Sequence, residues 1–395
     1  MKSVYIVSAV RTAIGKLGGA LAPVRAAELG TLAARDAIAR AGLSADMIDE
    51  TIFGCARQAG VGPNVARQIA QRSGIPDSRT AYTVNKACGS GLKAIINGFT
   101  SIVMGDNDVV LAGGVESMSN IPYLLMQARW GYRMGHSEIV DANHHDGYFC
   151  PMAGRLMGAT AEDLAKKLSI PRDEQDAYAL ESQRRAEAAI SSGFFKNEII
   201  PVTVRSKKGD VVFDTDEHPR FGTTFEDLKK LKPVFDKNGT ITAGSSSGVT
   251  DGASALVLAG EDKVREYNLK PLARIVAYTS AGVDPREMGR GPVPAVQKLL
   301  KKTGKRLDDI DLIELNEAFA AQVLACDREL HFDRERLNVN GGAIALGHPT
   351  GCTGARITTT LVHSLIRRRQ KLGLATLCIS GGLGLAMMVE CTARG

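Results

Sequence analysis

The sequence predicts an α/β protein built from two copies of one unit, with a loop-rich domain inserted between them. Three observations lead there. Strand-like apolar runs alternate with helical stretches along most of the chain, the layout of an α/β layer. The last third repeats the pattern of the first, the mark of a duplicated unit. Between residues 121 and 250 the alternation gives way to loops rich in Gly, Pro and His. At 395 residues the chain exceeds the size at which one core usually keeps growing, so two or three lobes are expected. The expected division is residues 1–120 with 251–270 as the first half, 121–250 as the inserted loop domain, and 271–395 as the second half.

In order, Val4 to Val10 reads as a strand, Ala26 to Ala41 as a helix with Leu29, Leu32 and Ile38 on one side, Ile48 to Phe53 as a second strand, and Asn64 to Arg72 as a helix. Asp108 to Gly114 is a buried strand ending in glycines. In the insertion, Thr160 to Lys167 and Pro171 to Ser192 are helical, the latter with proline at its start. Val202-Thr203-Val204 and Val211-Val212-Phe213 form a polar hairpin turning at Lys208-Gly209-Asp210. The insertion is expected to cover a site without building a core of its own. Asp251 to Leu258 resumes the buried-strand pattern. Leu307 to Ile313 then echoes Ala45 to Thr51, and Val339-Asn340 with Cys352 and the helix Ala355 to Ile366 echoes Val84-Asn85, Cys88 and its helix. Leu374 to Ile379 with Gly381-Gly382 matches Val109 to Gly114. Two such halves packed together bring equivalent strand ends face to face, where open α/β sheets hold ligands.

Composition narrows the function classes. Hydrophobic residues at 44% and charged residues at 23% describe a globular chain. The longest apolar runs, Ala253 to Ala259 and Leu383 to Val389, fall far short of the roughly 20 residues of a membrane helix, so no membrane partner is expected. The start, Met1 to Ser8, enters a strand pattern directly and has the form of neither a signal nor a transit peptide. Seven cysteines without a Cys-x-x-Cys pair fit neither a disulfide framework nor a zinc site, and a reducing cytoplasm is the expected location. His144-His145 lacks a ligand cluster and reads as a solvated loop; no metal is expected. The net charge of +6 suits an anionic partner. The basic groups (Lys207-Lys208, Lys229-Lys230-Lys232, Lys301-Lys302, Arg367-Arg368-Arg369) are dispersed with little aromatic interleaving, which argues against nucleic acid. They fit solvated faces or a phosphorylated small molecule.

Asn85-Lys86-Ala87-Cys88-Gly89-Ser90-Gly91-Leu92 places Cys88 at a strand-to-helix corner, followed by Leu92, Ile95, Ile96, Phe99, Ile102 and Val103 on one helical face. The glycines flanking Ser90 allow a tight turn and close ligand approach. The start of the following helix should favour the thiolate. The same segment also fits a small buried residue at a turn. Asn316-Glu317-Ala318-Phe319-Ala320 begins a helix after the strand Ile310 to Leu315, with Asn316 as a possible cap. Gly341 to Gly351 holds His348 in a Gly-rich loop just before a helix. Cys378 ends a strand that opens into Ser380-Gly381-Gly382, and it also suits a core position.

These four segments, in this order, resemble those of the thiolases, and the likeness runs nearly end to end. It includes Val10-Arg11-Thr12, Gly113-Gly114-Val115-Glu116-Ser117-Met118-Ser119, Met157-Gly158, His218-Pro219-Arg220, Thr242-Ala243-Gly244 with Ser247-Gly248, Asp251-Gly252-Ala253, and Met288-Gly289. The resemblance implies a five-layer α-β-α-β-α fold and an acyl-CoA C-acyltransferase that forms or thiolytically cleaves 3-ketoacyl-CoA. It implies acetyl-CoA C-acetyltransferase first, or a 3-ketoacyl-CoA thiolase of fatty acid metabolism with a longer-chain preference. A non-catalytic acyl-CoA carrier and a relative of the ketoacyl or hydroxymethylglutaryl-CoA synthases are the competing readings.

By the same resemblance Cys88 is the nucleophile, His348 takes its proton, and Cys378 is the acid and base for the α-carbon. His348 and a water on Asn316 form one oxyanion hole; the N–H groups of Cys88 and Ser380 form the other. Arg220, Ala243, Ser247, Met157, Met288, Ala318 and Phe319 are the implied coenzyme A contacts, with Arg220 at the nucleotide end and Ala243 and Ser247 along the pantetheine. Three places depart from the family pattern: Leu156 replaces a usual His and makes the pocket more apolar, Asp146-Gly147-Tyr148-Phe149-Cys150-Pro151 differs from the short-chain acetoacetyl-CoA pattern, and Ser380 stands where Gly is usual. Acetyl-CoA, 3-ketoacyl-CoA and coenzyme A are the implied partners. The thioester is substrate, with no cofactor, and a homo-oligomer, dimer or tetramer, is implied.

Overall fold

The computed structural model describes residues 2–205 and 209–393. Nine strands carry its large sheet: β1 (Val4–Thr12), β2 (Glu50–Gly54), β3 (Thr80–Val84), β4 (Val109–Ser117), β5 (Thr250–Gly260), β6 (Ala273–Gly282), β7 (Leu312–Leu315), β8 (Leu372–Ile379) and β9 (Leu383–Cys391). They run in the order β7-β8-β9-β6-β1-β5-β4-β2-β3, with two two-residue additions, Gly15–Lys16 and Ile199–Ile200.

The duplication read in the sequence is present in the strand order. From β1 outward the order is β1-β5-β4-β2-β3, and from β6 outward it is β6-β9-β8-β7. The senses repeat as well: two antiparallel pairs followed by a parallel one in each half. The parallel β2/β3 pair has its counterpart in the isolated parallel bridge between Ile313 and Leu337. The halves join where Tyr5 and Ile6 pair with Arg274 and Ala273.

Alternate residues of a strand face opposite sides of a sheet, and the layers follow from that. In β4, Val110 and Ala112 join a cluster with Leu92, Ile95 and Ile96 of α3 (Ser90–Met104) and Leu361 and Val362 of α8 (Thr350–Arg368). Leu377 and Ile379 of β8 and Met387 of β9 enter the same cluster from the other side. In the opposite direction, Val109 and Leu111 pack on α1 (Ala26–Arg40) and α2 (Val65–Arg72). Leu374 and Met388 pack on α6 (Pro292–Thr303) and α7 (Ala320–Leu330). The result is five layers, α-β-α-β-α, with α3 and α8 in the middle.

The inserted segment builds no core of its own. Its helices α4 (Met157–Lys167) and α5 (Arg172–Ser191) pack into the outer cluster of the second half through Ala161, Leu164, Tyr178 and Ala179. The hairpin forms with Val202 paired to Phe213, and Val202 and Val204 join the outer cluster of the first half. Lys207 and Lys208, expected in a basic pair and at the hairpin turn, lie outside the described residues. A fully buried Arg11 ties β1 to the insertion, donating from Nε to Glu198 (2.5 Å) and from Nη1 to Asp216 (2.7 Å). No helix among the described residues is long and apolar enough to cross a membrane.

The two middle helices approach so closely that side chains are excluded at their crossing. A Cβ on Gly91 would lie 2.7 Å from the Ala355 nitrogen, and one on Gly354 would lie 2.2 Å from that of Leu92. Gly354→Ala should therefore force the helices apart and cost on the order of 1–3 kcal/mol, read as a lowered midpoint in thermal or urea unfolding. An unchanged midpoint would show that the crossing yields freely.

Candidate active site

Cys88 lies between β3 and α3. The expected corner is there, but the turn is made by Ala87, whose φ of +44° is in the left-handed region, while Gly89 has an ordinary φ of −83°. Ser90 holds the turn: its hydroxyl accepts from the Lys86 N–H (2.9 Å) and donates to the Ala87 carbonyl (2.6 Å). The glycines serve close approach. A Cβ on Gly89 would sit 2.5 Å from Cδ1 of Ile379, so the end of β8 from the second half lies directly against the Cys88 loop. This contact brings the Ser380 N–H to the Cys88 sulfur, which also faces its own N–H.

Burial pushes the Cys88 thiol up, although the Arg57 charge and the two N–H groups pull the other way. The expectation of a thiolate held by the helix start is thus corrected. The charged sulfur would have to leave water behind, and that loss outweighs the dipole of a helix whose first turn begins two residues later.

His348 follows a one-turn helix (Ala343–Leu346) and Gly347, whose φ is +99°. Its own N–H donates to the Gly248 carbonyl (3.0 Å). Thr353 Oγ1 donates to the Pro349 carbonyl (3.0 Å) and so accepts from Nδ1 of His348 (2.6 Å). This hydrogen-bond chain selects the tautomer that leaves the Nε2 lone pair free. Nε2 is buried and has no partner among the described residues. Burial, with Arg57 and Arg356 nearby, pushes the imidazole down to about 3, so it is neutral near pH 7.

Asn316 does not cap a helix. The chain from Asn316 to Phe319 is a link, and α7 begins at Ala320. The Asn316 N–H donates to the Thr376 carbonyl of β8 (3.0 Å), while both ends of its side-chain amide are buried without partners among the described residues. Unfilled polar groups are uncommon in protein interiors, and two residues that carry them are among the four singled out from the sequence. Next to Asn316, the Glu317 carboxylate accepts from Tyr178 (2.8 Å), Ser182 (2.7 Å), Asn338 (3.0 Å) and the Ile344 N–H (3.1 Å), locking this link to the histidine loop.

Cys378, buried near the end of β8, packs with Met288, Ala318, Met157 and Phe319. Burial pushes its thiol well up, with Cys88 and then Cys326 adding to the effect; both sulfurs lie within its electrostatic reach. Ser247 donates its N–H to the Ala318 carbonyl (3.0 Å), and Ser246 bridges to Phe319. Arg220, which is exposed, and Ala243 line a separate cavity of about 310 Å³ with Leu231 and His218; His218 bonds the Ala345 carbonyl in the histidine loop (2.7 Å). Leu156 belongs to neither group and pairs with Phe149. A larger cavity of about 660 Å³, lined by Glu162, Lys166, Asp236 and Thr240 among others, contains none of these residues. Among the described residues, no group of three or more His, Cys, Asp or Glu could hold a metal ion.

Residues not singled out from the sequence complete the surroundings. The fully buried Glu116 carboxylate accepts from the N–H groups of Ala56 (3.1 Å), Arg57 (3.0 Å) and Gly351 (2.7 Å), joining the loop after β2 to the start of α8. Glu116 lies in the Gly113–Ser119 segment of the family likeness and Tyr148 in the segment 146–151 that departs from it, whereas Arg57 and Thr353 carry no local signal.

Comparison with known proteins places the chain in a family. Family models of the thiolase N-terminal domain and the thiolase C-terminal domain match residues 4–262 and 269–391. An acetyl-CoA acetyltransferase of Escherichia coli K12 is 52% identical over 391 residues, covering 99% of each chain. The crystal structure of the Bacillus anthracis acetyl-CoA acetyltransferase superposes with a TM-score of 0.97 at 48% identity, covering 99% of each chain. Human mitochondrial 3-ketoacyl-CoA thiolase in complex with CoA superposes with a TM-score of 0.95 at 44% identity, covering 99% of this chain and 98% of that one. With both halves matched and the relatives covered nearly end to end, the chain belongs to the thiolase family.

Proposed function

We propose that this thiolase is an acetyl-CoA C-acetyltransferase acting through an acyl-cysteine. The observation that carries the reading is the pair of unfilled buried groups, His348 Nε2 and the Asn316 amide, in a site that also holds two thiols from opposite halves. In the resting site both thiols and the imidazole are neutral. Cys88 Sγ attacks the thioester carbonyl of acetyl-CoA while its proton passes to His348 Nε2. The oxyanion forms against the N–H groups of Cys88 and Ser380, and the coenzyme A sulfur leaves with the Cys378 proton. This leaves acetyl on Cys88 and a thiolate at Cys378.

The Cys378 thiolate removes an α-proton from a second acetyl-CoA, whose developing enolate oxygen is held by His348 Nε2–H and a water on Asn316. The enolate carbon bonds to the acetyl carbonyl, and the Cys88–acyl bond breaks. Cys88 takes its proton back from His348, so the cycle balances: two acetyl-CoA give acetoacetyl-CoA and free coenzyme A. Thiolysis runs the same steps in reverse. The thioester supplies the chemistry, and no cofactor is invoked. Arg220 and Ala243 in their cavity, with Ser247 against Ala318, are the coenzyme A contacts of this reading.

The chain is read as a homo-oligomer. The insertion exposes Tyr123, Trp130, Met134 and Ile139 within residues 123–139, and among the described residues β3 is the outermost strand of the sheet. Light scattering reads the state directly. Seven free cysteines support a reducing, cytoplasmic setting.

Two outcomes test the chemistry. After mixing with acetyl-CoA, intact-mass and peptide mapping should show one acetyl group on Cys88. Cys378→Ala should still take acetyl on Cys88, more slowly because coenzyme A then leaves as its thiolate, while losing at least about 100-fold in condensation; acetylation in Cys88→Ala, or condensation retained in Cys378→Ala, contradicts the assignment. Because burial holds the Cys88 thiol up, its alkylation by iodoacetamide should keep accelerating past about pH 8.5, the ordinary thiol range. A rate that levels off near neutral pH would show a preformed thiolate.

A further inference from the structure

Arg356 is a buried cation that the reaction above does not use. It is 1% exposed, and none of its three guanidinium nitrogens has a hydrogen-bond partner among the described residues. The fully buried Arg11 shows the ordinary arrangement, donating to Glu198 and Asp216 at 2.5 and 2.7 Å. Arg356 has a single carboxylate within ion-pair reach among the described residues, that of the buried Glu314, 3.5 Å from Nη1. Apolar side chains of similar size often stabilise an interior as well as a buried ion pair does, or better. Stability alone therefore does not account for this pair.

The pair joins the two elements that present Asn316 and His348. Glu314 lies on β7, two residues before Asn316, and alternate residues of a strand share a face. Ile313 and Leu315 pack outward with α6 and α7, whereas Leu312 packs inward with α8, and Glu314 likewise reaches inward to Arg356 on α8. Asn316, whose N–H continues the ladder to β8, belongs to the same inward series. On the outward side hydrogen bonds fix the chain: Asn338 accepts from the Leu315 N–H (2.9 Å), and Glu317 accepts from Tyr178 and Ser182. On the inward side the contact to Arg356 is the polar tie. Along α8, Arg356 lies one turn beyond Thr353, whose hydroxyl holds Nδ1 of His348 (2.6 Å).

We propose that Arg356 and Glu314 are positioning residues for Asn316, an ion pair that sets where the Asn316 amide stands relative to His348 so that the two can share one enolate oxygen. The inference rests on the thiolase reading and deepens it. Neither residue is placed against substrate; both act through Asn316. Their effect is selective, because acyl transfer to Cys88 uses the N–H groups of Cys88 and Ser380 and does not call on Asn316. The pair matters only when the second acetyl-CoA loses its α-proton.

The test replaces the pair with apolar side chains of similar size, Glu314→Leu together with Arg356→Met, a change that buried ion pairs commonly tolerate. Acetylation of Cys88 by acetyl-CoA should stay within about 2-fold of wild type. Condensation should fall by about 10- to 100-fold in kcat, the loss expected when a catalytic contact is displaced by about 1 Å, with KM for the second acetyl-CoA little changed. In an Asn316→Ala background the same replacement should alter condensation by no more than about 2-fold, because the group it positions is gone. Glu314→Asp, which keeps both charges and draws the carboxylate back by one methylene, should repeat the pattern with a smaller loss, and it carries the test if the apolar pair does not fold. Condensation at the wild-type rate in the folded variant overturns the proposal. So does an equal fall in acetylation and condensation, which would make the pair a general support of the fold. A further loss of about 10-fold in the Asn316→Ala background also overturns it, since the pair would then act on another group. Acetylation and condensation by the wild-type protein are run alongside. If both are present while the selectivity is absent, the role of the pair alone fails; if both are absent, the thiolase reading fails with it.

Discussion

Everything in this molecule depends on how closely the backbones of its two halves approach. The four residues that carry the proposed chemistry are divided between the halves: Cys88 comes from the first, and Asn316, His348 and Cys378 from the second. A Cβ at Gly89 would strike Ile379, and one at Gly351 would meet the backbone of Cys55 and Ala56 at 2.7–2.8 Å. At the helix crossing, Gly91 and Gly354 leave the same kind of gap. Contacts this tight are available only to glycine, and they let the Ser380 N–H reach a sulfur on a different half.

The second constraint is dehydration. The same packing that brings the groups together removes their water, and this sets their charge states. Cys88 and Cys378 are pushed up and His348 is pushed down, so the resting site is neutral. The interior also holds polar atoms without partners, at His348 Nε2 and at Asn316. Such groups lower stability. They are held by neighbours that are fully bonded: Thr353 fixes the imidazole, and Glu317 locks the link that carries Asn316.

Local pattern made much of this legible. The alternation of strands and helices, the repeat of the first third in the last, and the corner at Cys88 are all written in apolar spacing and glycine placement, and each reappears in the strand order or the loop geometry. The errors share a cause. An Asn before a helical stretch caps it in isolation, which left a cap open for Asn316 beside the catalytic reading, yet the helix starts only at Ala320, after an extended Phe319. The turn at Cys88 was assigned to glycine, but Ala87 makes it because Ser90 bonds across it. The thiolate expectation weighed the helix start and omitted burial. Arg57 carries no local signal, because its guanidinium meets the Tyr148 ring, 91 positions away in sequence, only when the insertion folds back over the first half.

The central claim is that the sulfurs of Cys88 and Cys378 share one small site across the interface between the halves. A short bifunctional alkylating agent such as 1,3-dibromoacetone tests it in solution, with the product mapped by peptide mass spectrometry. The account predicts one bridge joining the peptides of Cys88 and Cys378, absent from Cys378→Ala and suppressed by acetyl-CoA. Separate single adducts on the two residues, or a bridge from Cys88 to any other cysteine, would contradict it.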